Sequence, residues 1–209
     1  MNARKRAMTA REVLRLKKQV FEFAGAWNDF IGTPERRGVW FVWGNSGNGK
    51  SSFAMQLCKE LAKFERVAYN SLEEGDSLTM QENLRRHGMA ELGNRFVLIR
   101  EDMEALMTRL RARKSYRIII IDSFQYTLMN YRDYTRLRDA FPDRLFVFIS
   151  HADGKKPSGR AATSVMYDAT LKVWVEGHKA ISKGRFIGAT GELTIWEEGA
   201  RRYWSNNNQ

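Results

Sequence analysis

Gly44-Asn45-Ser46-Gly47-Asn48-Gly49-Lys50-Ser51 has the residue types and spacing of a Walker A phosphate loop. The chemistry dictates each position. Glycines let successive backbone N–H groups curl around phosphate oxygens. A helix starting here adds the partial positive charge of its N-terminus. Lys50 reaches the outer phosphates, and the Ser51 hydroxyl can hold a magnesium ion. The flanks fit: Val39-Trp40-Phe41-Val42-Trp43 is an apolar run suited to a buried strand, and Ser52 to Leu57 begin a helix. Residues Gly44 to Ser52 are therefore expected to bind a nucleoside triphosphate.

Two further signals are carboxylates placed after apolar runs. Ile118-Ile119-Ile120-Ile121 leads into Asp122, a Walker B arrangement that puts a carboxylate beside the magnesium ion. Arg66 to Leu72 is a second apolar run, followed by Glu73 and Glu74. Ligands of open parallel sheets bind at the carboxyl ends of strands, where a glutamate can orient and deprotonate a water. Glu73 is the expected base, with Glu74 as the alternative.

The elements that must hold these groups alternate. Strands are expected over 66–72, 95–99, 118–121 and 144–149, with helices over 77–86 and after Asp102, so a parallel sheet with helices on both faces follows. Beyond residue 168, short runs at 171–175, 179–182, 191–196 and 202–204 predict an antiparallel extension at one edge. At the other end, residues 1–8 form a basic, unstructured tail. Thr9 and Glu12 fit a capping box, and Val13, Leu16, Val20, Ala24 and Trp27 recur at helical spacing, predicting one amphipathic helical arm to Phe30. The expected organisation is an arm over 1–30 and one α/β ATPase domain over 31–205, closed by a frayed Asn206–Gln209.

Composition narrows the setting. No apolar run approaches the ~18 residues of a membrane span, and no leader precedes the arm. A single cysteine, Cys58, excludes an internal disulfide and any multi-cysteine zinc site; it is expected to pack in the core, in a cytoplasmic protein. The formal net charge of +11 among 209 residues points to a polyanionic partner, nucleic acid before membrane.

Three motifs together resemble the RecA superfamily, most closely its RadA and DnaB branches: Ser71-Leu72-Glu73-Glu74, Ile120-Ile121-Asp122-Ser123-Phe124-Gln125 and Ser182-Lys183-Gly184-Arg185-Phe186-Ile187-Gly188. Ile149-Ser150-His151, Gly159-Arg160 and Met166-Tyr167-Asp168 fit the segments between them. The resemblance spans residues 31–198 and implies a RecA-like core that hydrolyses ATP with Mg2+. It implies that Lys50 and Ser51 bind phosphate and metal, Asp122 supports the metal, and Glu73 is the base. It implies that His151 senses the γ-phosphate, and that Lys183 and Arg185 reach the nucleotide of a neighbouring subunit in a ring or filament. The chain departs from the family in lacking the RadA zinc motif and protease-like domain and the DnaB collar, and its size is similar to that of small phage or mobile-element recombinases.

In such proteins the nucleic-acid loops follow the fourth and fifth strands. Here these are Tyr126 to Tyr134, with cations and aromatics interleaved, and Asp153 to Arg160, expected to be mobile, with Lys155, Lys156 and Arg160. The cluster Arg109, Arg111, Arg113, Lys114 and Arg117 fits a solvated helix end. The expected function is a DNA-dependent oligomeric ATPase of recombination, repair or single-strand annealing. The alternatives are a replicative helicase motor or helicase-associated ATPase and, of a different class, a KaiC-like regulatory ATPase.

Overall fold

The computed structural model describes residues 6–206. The tail expected over 1–8 and the end expected over 206–209 lie mostly outside this range.

The four isoleucines set the architecture. Strand β4 (Ile118–Asp122) has Ile118 to Ile121 fully buried, alternating between two apolar layers. A strand buried on both faces needs neighbours on both edges and helices above and below. Its edges pair in parallel with β2 (Val67–Ser71) and β5 (Leu145–Asp153). Outward lie β3 (Phe96–Ile99) beyond β2, and β1 (Gly38–Gly44) beyond β5. The sheet continues through β7 (Leu171–Glu176), β8 (Lys179–Ser182) and β9 (Glu192–Thr194), in the order β3-β2-β4-β5-β1-β7-β8-β9. The two-residue β6 (Lys156–Pro157) folds back on β5 as a hairpin.

One apolar layer lies under α3 (Lys50–Ala62), and the other under α5 (Met103–Leu110), α6 (Tyr131–Ala140) and α7 (Arg160–Asp168). Helix α4 (Leu78–Arg86) is capped by Ser77, and α5 by Asp102 as its sequence predicts. Cys58 is buried on α3, and burial pushes its thiol pKa up, which makes it a packing residue.

Three expectations need correction. The arm is not one helix. The capping box of Thr9 and Glu12 starts α1, but α1 (Ala10–Leu14) buries nothing, and helix resumes only at α2 (Ala26–Ile31). Between them Phe21 and Phe23 are buried while Glu22 is exposed, the two-residue period of extended chain. Val20 bridges Glu35, and Phe21 N donates to Pro34 O at 2.8 Å. Aromatic burial overrides the helical spacing here: the Phe21 ring packs on Phe23, Trp40 and Phe64.

Leu171–Val175 is not antiparallel either. β7 pairs in parallel with β1, and antiparallel pairing begins only between β7 and β8. Finally, Arg202-Tyr203-Trp204 is helical, inside α8 (Glu197–Asn206). Glu197 and Glu198 suit the helix N-terminus, and Glu198 pairs with Arg202 one turn on.

Phe21 should therefore behave as core. Phe21→Ala is expected to cost about 3–5 kcal/mol, whereas Leu14→Ser, on the exposed face of α1, should stay within about 0.5 kcal/mol. Urea unfolding of both variants checks this; equal small effects would mean that residues 20–24 form no part of the core.

Candidate nucleotide site

Every chemical group singled out in the first 151 residues converges on one edge of the sheet. Parallel strands all end there, so their carboxyl-terminal residues are neighbours. Asp122 on β4 stands opposite Ser71 on β2 and Ile149 on β5, and Gly44 on β1 stands opposite His151 on β5. The resulting cavity of about 920 Å3 is lined by the phosphate loop, Glu73, Glu74, Asp122 and His151.

The loop geometry explains its glycines. Gly44 packs against β7 so closely that a Cβ would fall 2.2 Å from Val175 O. Gly47 and Gly49 have φ of 77° and 98°, a region L side chains avoid. Asn48 braces the loop from outside: its Oδ1 accepts from Gly177 N at 2.7 Å, and its carbonyl accepts from His178 N at 3.2 Å. Lys50 Nζ donates to Asn45 O at 3.0 Å, and burial lowers the Lys50 pKa. Ser51 and Ser52 open α3 at the cavity wall.

Asp122 accepts a hydrogen bond from the Tyr69 hydroxyl. Burial pushes its carboxyl pKa up to about 6; the Tyr69 bond opposes this, Glu73 and Glu74 add to it, and Lys50 opposes it. Three carboxylates around one lysine form a donor set suited to a hard divalent cation. Ser51 and Asp122 would hold Mg2+, with water completing its shell. Among the described residues no group of three His, Cys, Asp or Glu side chains could hold a metal by itself, so the phosphates would have to contribute.

The two glutamates differ. Glu73 Oε2 lies 2.9 Å from His151 Nε2, and that ring also faces Ser123 Oγ at 3.4 Å. Glu74 is turned away to accept from Thr79 Oγ1 at 2.9 Å. His151 is thus a direct partner of the expected base. Its strand is held by Gln125, which accepts from His151 N at 3.2 Å and donates to Ser150 Oγ and Ser158 O, each at 2.9 Å.

The basic segment after β5 is an ordered hairpin, not a loose loop. Pro157 pairs with Ala152 and Lys156 with Asp153. The turn is tied to the phosphate loop: Asn45 Nδ2 donates to Gly154 O at 3.1 Å, and Trp43 Nε1 to Lys155 O at 3.2 Å. Lys155, Lys156 and Arg160 are all exposed. In the other candidate segment Tyr126 and Tyr131 are exposed, while Tyr134 is buried and its hydroxyl bonds Asp168. At the end of α5, Arg109 pairs with Glu101.

Lys183 and Arg185 are not brought to this edge. β8 ends at Ser182, so the pair lies in the bend beyond it and not in an extended strand. Lys183 N donates to Lys172 O at 2.7 Å and Arg185 N to Thr170 O at 3.0 Å. Gly184 permits this approach, since a Cβ there would lie 2.7 Å from Lys172 N. Lys172 and Thr170 stand level with Phe41 and Val39 of β1, so at ~3.3 Å per residue the pair lies about 10–17 Å down the sheet from Gly44. Both side chains are exposed.

The sequence reading missed the far wall of the cavity. Gln56, Arg86, His87, His178, Ile195 and Trp196 line it. They come from four separate elements and form no motif; only the topology brings them together.

No family model matches this chain, and no curated protein matches it. Among solved structures it is similar to flagellar accessory protein FlaH from Methanocaldococcus jannaschii, with TM-score 0.58 and 15% identity, covering 84% of this chain and 90% of that one. It is similar to the KaiC-like protein PH0186 from Pyrococcus horikoshii, with TM-score 0.56 and 14% identity over 85% and 98% of the two chains. A third solved structure, the ATPase domain of a helicase, matches with TM-score 0.54 and 14% identity over 79% and 84%. These similarities and the sheet order define the fold as that of a RecA-like P-loop NTPase, mostly parallel with an antiparallel extension. Among the described residues no helix is long and apolar enough to cross a membrane.

The raised Asp122 pKa carries a pH signature. Between its free value near 4 and about 6 the folded chain holds this proton more tightly than the unfolded one, so the group favours folding at low pH and loses that effect as pH rises through 6. Above it, the buried charge costs up to about 3 kcal/mol at ~1.36 kcal/mol per unit. Asp122→Asn without nucleotide or metal should be more stable than the native protein at pH 8 and not at pH 4, measured by thermal unfolding. An equal effect at both values would contradict this.

Proposed function

We propose that the protein is a Mg2+-dependent, oligomeric ATPase whose hydrolysis is coupled to single-stranded nucleic acid. Lys50 and the loop from Gly44 to Ser52 hold the triphosphate. Ser51 and Asp122 hold the metal, which would neutralise charge on the outer phosphates. Glu73 takes the proton of the attacking water, and His151 positions Glu73 and senses the γ-phosphate. One observation carries the coupling: β5 ends in His151 against Glu73 and continues directly into the basic hairpin, which bonds back to Asn45 of the phosphate loop. Movement at either end must be felt at the other.

Oligomerisation is proposed from the position of Lys183 and Arg185. They lie too far down the sheet to serve this chain's own phosphates, which supports action on a neighbour's nucleotide, as arginine-finger groups that stabilise transition-state charge. Lys155, Lys156 and Arg160 are proposed to bind phosphates of the strand. The biological setting proposed is DNA recombination, repair or strand annealing. Similarity to the helicase ATPase domain keeps a helicase-type motor as the second reading, and the likeness to a KaiC-like protein keeps a regulatory ATPase behind it.

Hydrolysis is tested by two variants. Glu73→Gln should bind ATP normally and turn it over slower by orders of magnitude; normal turnover, with loss in Glu74→Gln, would assign the base to Glu74. Arg185→Ala should bind ATP and hydrolyse it poorly, and mixing it with Lys50→Ala protein should partly restore turnover. No restoration in demonstrated mixed oligomers would remove the action in trans.

Neutralising Lys155, Lys156 and Arg160 together should weaken single-strand binding and flatten its salt dependence by about 0.7 in log–log slope per lost phosphate contact. An unchanged slope would place the nucleic acid on another surface.

A further inference from the structure

The phosphate loop accounts for a triphosphate but leaves the upper part of the cavity, over the first turns of α3, without a role. One wall there is aromatic. Trp196 lines the cavity at 49% exposure, the most open of the six tryptophans. An indole normally buries its large apolar surface, so an exposed one facing a cavity needs an explanation.

This indole is held in place. Its ring meets His178 in a T-shaped contact, with centroids 5.0 Å apart and planes at 78°. α8 presses in through Gly199, where a Cβ would fall 2.2 Å from Trp196 Cε3 and 2.6 Å from His178 Cδ2. The preceding residue is anchored twice: Ile195 N donates to His178 O at 2.8 Å, and Ile195 O accepts from Gln56 Nε2 at 3.0 Å. His178 abuts the phosphate loop, its Nδ1 3.2 Å from where a Cβ of Gly49 would stand. The aromatic wall and the phosphate loop are braced as one unit. Across the cavity Arg86 ends α4, and that end is fixed to α3 by Lys59 Nζ donating to His87 O at 3.0 Å.

We propose that this upper part is a nucleobase subsite, in which a purine stacks on the Trp196 indole above Ser52 and Gln56, facing the Arg86 guanidinium. The proposal rests on reading the lower part as a nucleoside triphosphate site. The spacing suits it: Ser51 and Gln56 are five residues apart on α3, about 7.5 Å of helix, a gap that a ribose can bridge between phosphate and base. Two fused rings cover an indole better than one, which favours a purine. Stacking tolerates any base with a π-face, so Trp196 contributes affinity for the base without choosing adenine over guanine.

The test compares ligands with and without a base. Native protein, Trp196→Phe and Trp196→Ala are titrated calorimetrically with ATP, GTP and inorganic tripolyphosphate, all with Mg2+, and tryptophan fluorescence is followed in parallel. Native protein should bind both nucleotides at least about tenfold more tightly than tripolyphosphate. Trp196→Ala should lose about tenfold or more for both nucleotides and none for tripolyphosphate, and Trp196→Phe should keep most of the affinity. Nucleotides, but not tripolyphosphate, should quench the native fluorescence, and the quench should vanish in Trp196→Phe. Unchanged ATP affinity in Trp196→Ala would overturn the subsite and leave the phosphate site standing. Equal loss of ATP and tripolyphosphate would reduce Trp196 to a support for the loop. Failure of native protein to bind any of the three would remove the nucleotide reading, and the subsite with it.

Discussion

Asp122 sits where an all-isoleucine strand meets the cavity, with Tyr69, Lys50 and two more carboxylates around it, and the rest of the molecule is built to tolerate that charge. The strand must be central, because only two flanking strands and two helical layers can bury four isoleucines on both faces. Once it is central, β2 brings Glu73 to one side, β5 brings His151 to the other, and β1 brings the phosphate loop next to β5. The site follows from the topology of the sheet. Its excess negative charge, with one partly buried lysine in reach, is the physical reason that a metal ion and a phosphate chain fit together here and neither fits well alone.

The second constraint is mechanical. β5 runs from the core to His151, then through a two-residue turn into β6, and Gln125 clamps the strand end to Ser150 and Ser158. The hairpin cannot shift without pulling on residues that touch Glu73 or Asn45. Short, direct hydrogen-bonded links of this kind provide a physical route for coupling two sites, in place of distance alone.

Legibility in the sequence followed the range of the interactions. The phosphate loop, Asp122 and the glutamate pair were readable because each is a local pattern at the end of a local apolar run. The hairpin at 153–157 was not: its order comes from Trp43 and Asn45, more than a hundred residues away. Phe21 and Phe23 misled the helical spacing because their burial depends on Trp40 and Phe64. The aromatics of Arg202-Tyr203-Trp204 looked like a strand, whereas Glu197, Glu198 and the contact of Trp204 Nε1 with Gly177 O make that segment a helix. The cavity wall of Gln56, His178 and Trp196 had no sequence signal, since its members meet only through the sheet order.

The central claim is that ATP hydrolysis and nucleic-acid engagement share β5. The most direct test is phosphate release from MgATP by the native protein, followed as single-stranded DNA is titrated in. The account predicts a basal rate that rises with DNA until the basic hairpins are saturated. ATP that binds but is never hydrolysed, or a rate that DNA leaves unchanged while DNA demonstrably binds, would contradict it.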